Sequence, residues 1–175
     1  MTRVVLVNGV PASGKSSVAR AIAETGRWPL VALDTIKEAL FAQLGTGDRD
    51  YNRMLGRASY QAMFALAADF PADTTVVMDA WFGFQPEEVL HSHLARAAIS
   101  DVVQVWCTAP PEEIGRRYLS RLGQRSAGHL GEDYVPELIA LAARARPLAN
   151  YPTYDCDTTR AFDGEAFMAW LSGRY

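Results

Sequence analysis

Val4-Val5-Leu6-Val7-Asn8-Gly9-Val10-Pro11-Ala12-Ser13-Gly14-Lys15-Ser16 is the stretch that decides the fold. Val4 to Val7 form a short, continuous, β-branched run, as expected of a strand buried on both faces. Residues 9 to 16 match G-x-x-x-x-G-K-[ST] without a gap. Such glycines let backbone N–H groups turn inward around phosphate oxygens, where a side chain would block the approach. Lys15 then reaches the outer phosphates, the Ser16 hydroxyl can ligand Mg²⁺, and the following helix aims its positive end at the same anion. Gly9, Ala12, Ser13, Gly14, Lys15, Ser16 and Ser17 are the candidate nucleotide contacts.

Outward from this loop, short apolar strands alternate with helices. The spacing predicts a helix over 15–24 closed by Gly26, a strand over 30–33 and a helix over 35–44. A glycine- and charge-rich loop, 45–50, precedes an alanine-rich helix over 51–70. A strand at 74–78, a helix over 87–98 and a strand at 102–107 follow. Pro110 and Pro111 open another helix. Residues 122–133 are polar and glycine-rich without an apolar period. A helix over 135–148, a strand at 153–156 and a helix over 164–171 complete the chain. This alternation implies βα units, a parallel sheet with helices on both faces, and ligands at the carboxyl ends of the strands.

Composition narrows the classes. A chain of 175 residues, 49% apolar and 21% charged, fits one soluble domain over 1–175 with a real core. Its net charge of −3 argues against general nucleic-acid binding. No apolar run is long enough to span a membrane. The start runs straight into the phosphate loop, so it reads as a first strand, not a leader. Cys107 and Cys156 stand in apolar or β-like stretches without CxxC spacing, so they read as reduced, buried thiols of a cytoplasmic protein.

Two aspartates close predicted strands, Asp34 after Val31-Ala32-Leu33 and Asp79 after Val76-Val77-Met78, and both are expected to open into one cleft. Phosphoryl transfer uses one carboxylate near the metal and one to orient or deprotonate an acceptor hydroxyl; helix capping is the plainer role for either. Trp81 and Phe82, just past a strand end, are pocket or core candidates alike. Arg117, Arg121 and Arg125 recur every four residues, which on a helix places them along one side. A solvated basic face is one reading of them, and a phosphate clamp, stacking platform or arginine finger the other.

Taken together, Gly9 to Ser16, Leu33-Asp34-Thr35-Ile36-Lys37-Glu38, Val77-Met78-Asp79-Ala80-Trp81-Phe82, Cys107-Thr108-Ala109-Pro110-Pro111 and the Arg117 to His129 segment resemble small bacterial P-loop kinases. The likeness is to the zeta-toxin and chloramphenicol-phosphotransferase-like group, often described only as ATPases. It implies a three-layer α/β fold with a parallel five-stranded sheet in the order 2-3-1-4-5 and a small lid at about 117–133. It implies ATP and Mg²⁺, with Ser16 and Asp79 near the metal and Asp34 as base beside the acceptor. Arg117 would lie over the adenine, and Arg121 and Arg125 would reach the phosphates. Ser126-Ala127 stand where the group commonly has His-Pro before Gly-His, and a buried or capping role is expected of His129.

The activity so implied is transfer of the γ-phosphoryl group to a hydroxyl of a small molecule: an antibiotic, a sugar or aminosugar, a nucleoside or a nucleotide sugar. Asp34, Arg53, Arg57, Trp81 and Phe82 are the candidate acceptor contacts; mixed charge along 45–60 suits a polar polyhydroxyl or amino compound, or a solvated helix face. A regulatory NTP-binding ATPase without a small substrate, or a toxin-type kinase, are the alternatives. There is no Asn-Lys-x-Asp signature for guanine.

Overall fold

The structure, a computed structural model, describes residues 2–124 and 128–174. Five strands, β1 (Arg3–Asn8), β2 (Leu30–Ala32), β3 (Thr75–Ala80), β4 (Asp101–Thr108) and β5 (Thr153–Asp157), form one parallel sheet in the order β2-β3-β1-β4-β5. Seven α-helices join or follow them: α1 (Lys15–Gly26), α2 (Leu33–Leu44), α3 (Arg49–Ala68), α4 (Glu87–Arg96), α5 (Pro111–Ser120), α6 (Val135–Arg144) and α7 (Gly164–Ser172). This is the sheet order of the P-loop kinase fold that the sequence led us to expect.

Alternation along the central strands feeds two cores. Val4, Leu6, Val76 and Met78 face Tyr60, Met63 and Phe64 of α3 and Leu90 and Leu94 of α4. Val5, Val7, Val77, Val103 and Val105 face Val18, Ala19 and Ile22 of α1 and Phe167 and Leu171 of α7. Because both faces are covered, these strands carry apolar residues throughout, each contributing roughly 1.5–3 kcal/mol by burial. A third cluster, Val10, Ile114, Tyr118 and Leu138, packs α5 and α6 over the phosphate loop.

Element boundaries differ from the sequence reading in instructive ways. β2 stops at Ala32 and α2 starts at Leu33, so Asp34 lies in a helical first turn, where its charge meets the helix dipole favourably. β3 runs on to Ala80, so Asp79 is inside its strand. Gly26 ends α1 as a helical residue, and Arg27 takes the left-handed conformation at φ 53°. What Gly26 provides is room: a Cβ there would overlap the Trp28 ring.

Candidate active site

The loop from Gly9 to Gly14 owes its shape to close contacts. A Cβ on Gly9 would come within 2.6 Å of the Cys107 carbonyl oxygen on the neighbouring strand. Gly14 sits at φ 86°, Ala12 at φ 63°, and the Ser13 N–H closes a turn on the Val10 carbonyl at 3.1 Å. Gly14 also caps α1 without any side-chain hydrogen bond, so the first N–H groups of that helix are available to an anion. Ser13 is fully buried.

Asp79 is 6% exposed, and its Oδ1 has no hydrogen-bond partner among the described residues. Burial pushes its carboxyl above the usual carboxylate range, while the Lys15 charge and a Ser16 hydrogen bond pull it back and Asp34 pushes it up again. A buried carboxylate oxygen without a donor is costly. Beside the Ser16 hydroxyl it supplies a hard oxygen pair that fits Mg²⁺, a cation that takes one or two protein oxygens and leaves the rest to phosphates and water. Among the described residues no group of three or more His, Cys, Asp or Glu side chains that could hold a metal ion occurs.

Lys15, Ser16, Asp34, Asp79, Trp81, Arg53, Arg57 and Arg121 all line one cleft of about 590 Å³. Phe82 does not. It is 1% exposed and packs against Tyr60 at 5.9 Å between ring centroids, so it belongs to the core, and its expected acceptor contact is corrected. Residues 82–84 form a tight helical turn that sends Phe82 inward and sets Phe84, 39% exposed, on the cleft wall.

The arginine row also divides. Helix α5 ends at Ser120, and Arg121 follows as its cap at φ −103°, so the regular spacing stops after Arg117. Arg121 reaches the cleft. Arg117 donates to Glu113 Oε1 at 2.7 Å and to Thr158 Oγ1 at 2.9 Å. Arg125 lies outside the described residues. His129 is held: its Nε2 is 2.9 Å from Glu38 Oε1 and its ring meets Phe41 edge-on at 6.1 Å.

Sequence reasoning did not single out several positioning residues. The Thr158 hydroxyl donates to the Ser13 carbonyl at 2.7 Å, and a Cβ on Gly14 would touch its side chain at 3.0 Å. Asn8, fully buried, accepts the Phe82 N–H at 3.1 Å and donates to Gln104 Oε1 at 3.3 Å. Lys37 donates to Asn52, which donates to the Gly128 carbonyl. Arg49, by contrast, belongs to the mixed-charge stretch 45–60 expected to meet the acceptor, and it reaches Glu137 with two bonds of 2.8 and 2.9 Å. The signals that could have found Asn8 and Gln104 were polar residues inside otherwise apolar strands.

Residues 4–144 match the family model described as AAA domain. No curated protein matches the sequence. Among solved structures, a Chloroflexus aurantiacus J-10-fl protein described as a "putative kinase" is 25% identical at a TM-score of 0.85, over 99% of this chain and 98% of that one. A sugar kinase from Janibacter sp. HTCC2649 is 17% identical at a TM-score of 0.62, over 98% and 95%. An APS kinase from Mycobacterium tuberculosis, solved with AMPPNP and APS, is 19% identical at a TM-score of 0.62, over 99% and 98%. The last two speak to the fold alone.

Proposed function

Since the chain belongs to the AAA domain family and has the P-loop kinase fold, we propose that it transfers the γ-phosphoryl group of ATP to a hydroxyl of a small molecule. The observation that carries this reading is the cleft itself: the phosphate loop, the donorless Asp79 oxygen and Asp34 share one cavity. That cavity continues past the loop along α2 and α3, which leaves space for a second substrate. The narrower likeness to the zeta-toxin and chloramphenicol-phosphotransferase-like group is part of the same proposal, as is a lid over 117–133.

In this mechanism backbone N–H groups of the phosphate loop and of the first turn of α1, with the Lys15 ammonium, hold the phosphates. Ser16 and Asp79 hold Mg²⁺, which neutralises charge on the phosphate oxygens when bound. Asp34 accepts the proton of the acceptor hydroxyl as its oxygen bonds to the γ-phosphorus. The bond to the bridging oxygen breaks, and ADP leaves with that electron pair. Arg121 meets the charge that develops.

The test is ATP consumption with and without candidate hydroxyl compounds, followed by mass analysis of each compound for an added phosphoryl group. Lys15→Ala should fold normally, because an open-cleft lysine adds little to the core, and should abolish transfer. Transfer at the parent rate by that variant would refute the proposal, and ATP hydrolysis indifferent to every acceptor would favour an ATPase.

A further inference from the structure

Beyond the phosphate loop the cleft wall carries Lys37, Arg49, Arg53 and Arg57 against Asp34 and Glu137, in a protein of net charge −3. Arg49 and Glu137 neutralise one another through paired hydrogen bonds. Among the described residues Arg53 has one ion pair, with Asp50 at 3.5 Å between side chains 58% and 89% exposed, a contact of little strength. Among the described residues no acidic group pairs with Arg57. The wall around Asp34 therefore carries more cations than anions, and Arg53 and Arg57 in particular have no strong acidic partner among the described residues.

Gly56 supplies the second observation. It stands between those arginines in the middle of α3, where glycine is disfavoured, and it is buried. Glycines are kept at such places for close approach of a neighbour, yet a Cβ at Gly56 would meet nothing nearer than Lys37 Nζ at 4.0 Å. The space left open over it belongs to the cleft. Lys37 itself is held by the Asn52 carboxamide and the Phe41 ring, 5.4 Å from its Nζ, so its ammonium is set in place before any ligand arrives.

We propose that this is an oxyanion site: the acceptor carries, besides its hydroxyl, a carboxylate, sulfate or phosphate that seats over Gly56 between Lys37, Arg53 and Arg57. Guanidinium forks match such groups bidentately, and the anchored end would hold the hydroxyl at Asp34. This deepens the phosphotransferase reading and rests on it. It also narrows the acceptor, since an aminosugar would bring a cation to a cationic wall.

Two measurements test it. In the first, protein saturated with Mg²⁺ and AMPPNP, so that the phosphate loop is filled, is titrated with sulfate by calorimetry. Saturable binding is expected, weakened about tenfold or more in the Arg53→Gln/Arg57→Gln double variant. No saturable binding by the loaded parent protein overturns the inference. If AMPPNP itself does not bind, the phosphotransferase reading fails separately, and sulfate titration of Lys15→Ala reads the same wall without nucleotide.

In the second, matched acceptors are compared: gluconate against sorbitol, glucose 6-phosphate against glucose, and further acid–neutral pairs with aminosugars. The anionic member of a pair is expected to be preferred by about tenfold or more in kcat/KM. Arg57→Gln should raise the acceptor KM about tenfold and leave the KM for ATP unchanged. Gly56→Ala should raise the melting temperature, because alanine suits a helix better, and yet raise the acceptor KM; a merely structural glycine would give the first effect without the second. Preference for neutral or cationic members sinks the proposal.

Discussion

Arg117 and Thr158 are joined twice, Nη1 to Oγ1 at 2.9 Å and Nη2 to the carbonyl oxygen at 3.0 Å. The same threonine hydroxyl donates to the Ser13 carbonyl at 2.7 Å. Helix α5, the residue just past β5 and the phosphate loop are thereby locked together at one end of the cleft. The Thr158 N–H, bonded to the Thr108 carbonyl at 2.9 Å, extends the tie to β4.

This arrangement suits a wall for the nucleotide's base. Arg117→Ala is expected to raise the KM for ATP about tenfold, the size of one lost charge-assisted bond with its ordering, while kcat changes little. Thr158→Val should do the same more weakly. Steady-state kinetics with ATP varied at saturating acceptor checks both, and a kcat effect larger than the KM effect would reverse the assignment.

Asp79 gives a prediction in pH. Burial holds its carboxyl above the ordinary value of 3.8, so the folded protein binds that proton more tightly than the unfolded chain. Stability therefore falls as pH rises from the unfolded value through the raised folded one, and the cost persists at neutral pH. Asp79→Asn should make the nucleotide-free protein more stable at pH 7, with a higher melting temperature. The gain should vanish near pH ~3, where both states hold the proton. Thermal melts at the two pH values decide it. The same variant should need more Mg²⁺ for any turnover, which separates it from Asp34→Asn, expected to lose ~10²–10⁴-fold in kcat with MgATP binding intact.

The sheet and the phosphate loop were legible because their signals are local: β-branched runs, a gapless motif and helices of the right period. Strand order came from resemblance and not from pattern. The errors fall where a side chain's direction depends on one or two residues of register. Asp79 lies within its strand, Asp34 opens a helix, and Phe82 turns to the core while Phe84 takes the wall. Thr158, Asn52 and Gly56 were not legible, since their roles arise from partners distant in sequence: Thr158 with Ser13, Asn52 with Gly128, and Gly56 with Lys37. No periodicity announces such contacts.

Gln104 sits in β4 with no exposed surface and every polar position used. Its Nε2 donates to the Leu148 carbonyl at 2.6 Å and to Thr153 Oγ1 at 2.9 Å, and its Oε1 accepts the Leu148 N–H at 3.1 Å and Asn8. Replacing it with Leu would strand both Leu148 backbone groups and loosen Asn8, which holds the Phe82 N–H beside the cleft. Gln104→Leu should cost about 2–5 kcal/mol in a denaturant melt, at one to three for each group left unpaired. A neutral result would mean the network is dispensable.

Arg121 is where the lid proposal is most exposed to refutation. It follows the last residue of α5 and opens to the cleft, and its guanidinium has no hydrogen-bond or ion-pair partner among the described residues. The helix behind it is fixed: Tyr118 is 2% exposed, meets Tyr134 edge-on at 5.7 Å between ring centroids and donates its hydroxyl to the Leu130 carbonyl at 2.6 Å. A cation presented from an anchored base, with no acidic partner among the described residues, is suited to charge that appears only during transfer. Arg121→Ala should therefore lower kcat by ~10²–10³-fold, as loss of other preorganised donors does, and change the KM for ATP far less. Arg121→Lys should recover part of the loss, because it keeps the charge and forfeits the fork. A residue that merely solvates a basic face would leave kcat unchanged in both variants, so single-turnover rates on the pair separate the two roles.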